Sequence, residues 1–149
     1  MTEIDDLLAA IDARERKFGH MIRPPASPEA IEWLRRFARD TLRTDLPEGY
    51  LTFLGRNDGF DFNSYVIYAA TEHEKPFLSG FVEANERLGG PEERYVYYGE
   101  SGIDLYAQDR RSMAWVTLDR PSLDVMDTFP SFDALLTDVL RHAVAKYGS

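Results

Sequence analysis

The chain has no cysteine. That absence excludes disulfides, thiolate zinc sites and cysteine nucleophiles, and it fits a reducing compartment. Long apolar runs are missing too; none approaches the roughly 20 residues needed to span a bilayer. The opening stretch MTEIDDLLAAIDARERKFGH is acidic and periodic, without the basic start or apolar segment of a signal peptide. A cytoplasmic protein with no membrane role is expected. Basic charge is also scarce. Lysine and arginine number 17 against 26 aspartates and glutamates, a formal net charge of −9. Residues 1–56 hold 10 acidic and 9 basic side chains, so the second part, with 16 and 8, carries nearly all the excess. Nucleic acid is not an expected ligand, because phosphate binding needs a basic surface. The acid excess suits either solubility alone or a basic partner protein drawn in by opposite charge.

Catalytic signatures are sparse as well. His20, His73 and His142 stand far apart, and no two share helical metal-ligand spacing. Thr71-Glu72-His73-Glu74 reads as a solvated linker. Gly99-Glu100-Ser101-Gly102 lacks the spacing of a nucleophile elbow and lies between strands, so it reads as a turn. Gly89-Gly90-Pro91 follows a helix and carries no lysine, unlike a phosphate-binding loop. No cofactor or metal is expected.

What the chain does have is enough apolar material for one core. Its 149 residues are 44% hydrophobic and 13% aromatic, which indicates a single globular domain over 1–149. A chain of this size buries roughly 68–70% of its unfolded surface. Ile4, Leu7, Leu8 and Ile11 fall on one face of a first helix that begins after Thr2 and stops by Gly19. Ser27-Pro28-Glu29 is a strong start for a second helix, with Ala30, Ile31, Leu34, Phe37, Ala38 and Leu42 inward. Its arginines 35, 36, 39 and 43, interleaved with acids, read as a solvated face. Pro47 opens a short third helix that buries Leu46, Tyr50, Phe53 and Leu54. Asn57-Asp58-Gly59 supplies residues that tolerate positive φ and turns the chain.

Beyond that turn the pattern changes to strands. A strand is expected at about 65–69, a helix at 77–88, and an antiparallel meander at about 94–118 joined by short turns. Residues 119–130 read as a loop leading to a last helix capped by Ser131. Phe132, Leu135, Leu136, Val139, Leu140 and Ala143 form its apolar face, with Tyr147 near its end. Helices first, strands gathered in the middle and a helix last indicate an α+β fold, its sheet covered by helices on one side.

The acids of the meander are the candidate site. Glu100, Asp104 and Asp109 lie close in sequence, and Asp104 shares a strand face with Tyr106. In a small antiparallel sheet that face can be the solvated one. Three roles fit: an inert outer face, a partner surface, or a pair of catalytic carboxylates like that of glycoside hydrolysis. Tyr95, Tyr97, Tyr98, Tyr106 and Trp115 belong to the core where they point inward and serve as interface anchors where they point outward.

Two groups of residues carry a family resemblance. Leu46-Pro47-x-x-Tyr50-x-x-Phe53-Leu54, followed by Asn57-Asp58-Gly59-Phe60, resembles the signature of the SUKH superfamily. Asp61 to Tyr68, Tyr98 to Ser101 with Asp104-x-Tyr106, and Phe129-x-x-Phe132 are similar to its YrhA-like branch. The resemblance runs over about residues 4–145. It departs from the family pattern at Asp58, inserted between Asn57 and Gly59, and at Ser64, where glycine is expected. What it implies is a curved, mainly antiparallel sheet flanked by N- and C-terminal helices, and a role in binding without catalysis. That superfamily includes cell-wall-synthesis regulators and bacterial immunity proteins. The resulting expectation is a non-enzymatic, cytoplasmic immunity protein that binds a toxin, such as a basic nuclease. Glu100, Asp104, Tyr106 and Asp109 are its candidate partner contacts. A regulatory or scaffold module is the alternative, and a small carboxylate-dependent hydrolase the third.

Overall fold

The computed structural model describes residues 2–19, 24–70, 80–89 and 93–148. The linker Thr71-Glu72-His73-Glu74, the start of the helix expected at 77–88, Gly90-Pro91, His20 and the Tyr147 side chain lie outside the described residues.

Local sequence sets each element. Helix α1 (Glu3–Lys17) opens with a reciprocal cap in which the Thr2 hydroxyl accepts from the Asp5 amide and Asp5 accepts from the Thr2 amide. Helix α2 (Pro28–Thr41) is capped by the Ser27 hydroxyl. Helix α3 (Glu48–Arg56) has Pro47 at its cap position rather than inside the first turn. Leu46, Tyr50, Phe53 and Leu54 are all buried, as their spacing requires. Helix α4 (Phe81–Leu88) ends at Gly89. Helix α5 (Phe132–Gly148) buries the apolar face expected of it, with the Ser131 hydroxyl accepting from the Ala134 amide.

Six strands form one antiparallel sheet in simple sequence order. They are β1 (Phe60–Phe62), β2 (Tyr65–Ile67), β3 (Tyr95–Glu100), β4 (Asp104–Asp109), β5 (Trp115–Asp119) and β6 (Val125–Phe129). The fold is therefore α+β, with the expected meander and an extra strand at each edge. Strand β1 pairs with β2 through a two-residue turn, Asn63-Ser64, with both residues at positive φ (56° and 71°). A turn of that shape favours glycine, which accounts for the glycine expected where this chain has Ser64. Strand β6 corrects the loop reading of 119–130. The burial of β3, β4 and β5 is nearly unbroken, so both faces of the central sheet are shielded rather than one.

The core is organised around aromatic rings. Tyr98 lies 5.1 Å from Tyr50, 5.4 Å from Phe81, 5.0 Å from Trp115 and 5.7 Å from Phe132, centroid to centroid. Helices α3, α4 and α5 thus meet strands β3 and β5 at one point. A register shift between Tyr97 and Gly99 places Tyr98 there. The same bulge explains Gly99, where a β-carbon would sit 2.3 Å from the Val66 carbonyl oxygen.

Asn57-Asp58-Gly59 is a clamp. The Asp58 carboxylate is buried and accepts from the Ala70 amide at 2.7 Å, while the Asp58 amide donates to the Pro24 carbonyl. Gly59 has φ 86°, and an added β-carbon would meet that of Ala69 at 2.9 Å. Gly59→Val should therefore lose about 2–4 kcal/mol from the left-handed backbone and the clash together. Thermal unfolding at neutral pH checks it; an unchanged melting temperature would contradict the clamp.

Candidate partner-binding surface

The four residues nominated from the sequence occupy three different environments. Glu100, at the end of β3, is half-buried and accepts hydrogen bonds from Arg120 (2.7 Å), the Tyr68 hydroxyl (2.9 Å) and Arg87 (3.2 Å). Burial alone would raise its carboxyl. The bonds from Arg120 and Tyr68 and the charges of Arg120 and Arg87 outweigh that, and the group lies below the usual range. Burial and the Glu100 charge push the Tyr68 phenol upward. Glu100 therefore ties together β2, β3, α4 and the β5–β6 turn.

Asp109 ends β4 and is 5% exposed. Arg94 grips it with two bonds, 3.2 and 2.8 Å, and the Arg111 amide adds a third at 2.9 Å. The Arg94 bonds, acting against burial and aided by Arg111, hold its carboxyl at about 2. Tyr106 is 2% exposed. The face that Tyr106 shares with Asp104 is therefore covered at Tyr106 rather than solvated, and Asp109, nominated as a partner contact, is buried as well. The nominated residues do not form one patch.

Asp104 is different. It is half-buried and stands directly across the β4–β5 ladder from Asp119. Burial raises its carboxyl, and the charges of Asp119 and Asp127 raise it further against an opposing effect of His142. His142 lies on α5 with its Nδ1 close to Asp138.

The surface that sequence reading missed begins here. Strand β6 is exposed from Val125 to Thr128 and half-buried at Phe129, and among the described residues it pairs only with β5. Val125 is 51% exposed and Met126 59%. The turn leading into it, Asp119-Arg120-Pro121-Ser122-Leu123-Asp124, repeats the one before β5, Asp109-Arg110-Arg111-Ser112-Met113-Ala114. In each, the first aspartate amide donates to the carbonyl of the sixth residue and the serine hydroxyl accepts from that residue's amide. The fifth residue is left-handed in both: Met113 at φ 64° and Leu123 at φ 62°. That D-R-x-S repeat was the signal in the sequence that a second hairpin follows the first.

A separate cleft of about 500 Å³ lies among α1, α3 and α5, lined by Glu3, Asp5, Gly49, Arg56, Asp133 and Thr137 among others. Its main charges are already paired. Arg141 binds Glu3 at 2.5 and 2.6 Å, and Arg56 binds Asp5 at 2.8 Å. Among the described residues no group of three or more acidic or histidine side chains is arranged to hold a metal ion. No described helix is long and apolar enough to cross a membrane.

The class defined by these features is an α+β protein on a single six-stranded antiparallel meander, with an acidic, apolar edge hairpin exposed. A scan against protein-family models returned no match, and a search of curated proteins also returned none.

The Asp109 bridge gives a pH test. With a carboxyl held near 2 in the fold and at an ordinary value when unfolded, its contribution is complete above about pH 4 and is lost as pH falls through 2. Arg94 remains partly in water, which limits the size. Asp109→Asn should cost about 1–2 kcal/mol at pH 7, and wild type and variant should converge near pH 2. A gap independent of pH would contradict this assignment.

Proposed function

We propose that this chain is a non-catalytic protein-binding domain, and specifically a cytoplasmic immunity protein that neutralises a basic toxin. One observation carries the reading. The exposed hairpin around β6 combines acids (Asp119, Asp124, Asp127) with accessible apolar side chains (Leu123, Val125, Met126), while Arg120 is engaged by Glu100. Among the described residues none of these three acids pairs with a cation, and negative charge beside exposed apolar groups suits a basic protein partner: charge steers the encounter and apolar contact holds it. The SUKH-like residues at 46–60 point the same way, since that superfamily includes immunity proteins. Within the nominated set, Asp104 adds to this negative field, and Glu100 supports it indirectly by holding Arg120.

Toxins and their immunity proteins are commonly encoded side by side, which makes the reading testable. Each neighbouring reading frame is expressed alone and together with this chain in a bacterial host. One frame is expected to arrest growth, and co-expression is expected to restore it, with a stoichiometric complex on size exclusion. If no neighbour is toxic, or toxicity is unaffected by the chain, the immunity reading fails and a regulatory or scaffold module takes its place.

A carboxylate-dependent hydrolase is the third reading, favoured by the raised carboxyl of Asp104 opposite Asp119. In the binding reading the pair is only a cross-strand repulsion of about 0.2–1 kcal/mol. Because the folded group is raised, its ionised form destabilises, and protonation relieves the repulsion. Asp104→Asn should raise the melting temperature by about 1–3 °C at pH 7. The gain should shrink as pH falls through the carboxylate range. Absence of any gain would contradict the repulsion.

A further inference from the structure

Resting on the protein-binding reading above, we infer that the outer edge of β6, with the Leu123 tip beside it, is the docking strip. Its occupant is an extended, lysine- or arginine-bearing segment of a partner protein that adds to the sheet as a seventh strand. Strand β6 ends the sheet, and among the described residues no strand pairs with its outer side. A sheet edge presents unused N–H and C=O groups along its length, a template for another extended segment. The neighbouring helices leave it open: Val125, Met126, Asp127 and Thr128 are all exposed.

Charge decides the occupant. Asp124 and Asp127 lie on the strip, Asp119 stands at its entrance, and Asp104 lies across the ladder from Asp119. A second copy of this chain would bring its own Asp124 and Asp127 to the same edge on a molecule of net charge −9. Like charges facing across a new strand pair oppose it. A register shift in the β5–β6 ladder between Thr117 and Leu118 leaves Met126 without a cross-strand partner and distorts the strand, which further discourages flat self-pairing. A basic segment meets attraction where a second copy meets repulsion.

Leu123 is the second observation. It occupies a left-handed position that glycine fills without strain, yet it is a large apolar residue, 39% exposed. The β5–β6 turn is joined to the β3–β4 turn by the Arg120 amide donating to the Ile103 carbonyl at 3.0 Å, and Ile103 is 72% exposed. Apolar side chains therefore gather at the end of the strip where the chain gains nothing for its own core. Met113 occupies the matching position of the sister turn, at the opposite end of β5, and serves as an internal control.

The probe is a blocked nine-residue peptide of alternating lysine and valine, with a glutamate–valine peptide of the same length for comparison. Binding is measured by fluorescence anisotropy at low and physiological salt. The lysine peptide should bind and weaken with salt, and the glutamate peptide should not bind. Leu123→Gly should raise the melting temperature by about 1–3 °C yet weaken the lysine peptide, and with Asp127→Lys added the loss should reach about tenfold. Met113→Gly should raise the melting temperature alike and leave affinity unchanged. Equal affinity in the Leu123→Gly/Asp127→Lys variant, equal binding of the glutamate peptide, or a concentration-dependent dimer abolished by Asp127→Lys would each overturn the strip. Growth rescue by the double variant equal to wild type would overturn it as well while leaving the immunity reading intact. Peptide binding mapped to these residues without any toxic neighbour would sustain the strip and remove only that reading.

Discussion

Tyr98 is the side chain on which the arrangement depends. It touches Tyr50 of α3, Phe81 of α4, Trp115 of β5 and Phe132 of α5 from its own place in β3. Edge-on and tilted ring pairs of this kind contribute beyond their buried area. Removing a ring so enclosed typically costs about 3–5 kcal/mol. Its hydroxyl is buried without a hydrogen-bond partner among the described residues, so the ring rather than the phenol accounts for its value there. The bulge in β3 that aims Tyr98 inward also brings Gly99 against β2. One local irregularity thereby fixes three helices, the central strands and β2.

Packing of this kind concentrates cover over β3, β4 and β5 and leaves the sheet's last strand outside it. The ion pairs follow the same division. Glu100 and Asp109 are consumed by Arg87, Arg120 and Arg94, and they hold elements together. Among the described residues no cation pairs with the acids near β6, and the Arg120 guanidinium is turned to Glu100. Charge near the middle of the sheet is structural, and charge at its edge is available. This distinction, rather than the number of acids, is what the proposed partner surface rests on.

Much of the fold was legible in the sequence because its signals are local. The cap at Ser27, the spacing of Leu46, Tyr50, Phe53 and Leu54, the glycine at 59 and the alternation of β4 each specify their own element. Strands β1 and β6 were not legible: β1 is only three residues long, and β6 has no buried face to give it an apolar alternation. Pro121 and Pro130 bracket β6 and imitate a loop. The site was less legible still. Sequence spacing placed Glu100, Asp104, Tyr106 and Asp109 together, but exposure depends on what covers the sheet, and the second layer of cover is a long-range property. Asp58, which looks like a stray carboxylate, holds the Ala70 amide, a partner 12 residues away.

On the proposed reading, the aromatic core presents the open, acidic edge at β6 to a basic partner. Amide hydrogen exchange of the chain, free and in complex with the toxin it is proposed to neutralise, tests this most directly. New protection should be confined to Val125–Phe129 and the tips at Leu123 and Ile103, with the core strands unchanged. Protection appearing instead at the cleft among α1, α3 and α5, with β6 still exchanging freely, would contradict it.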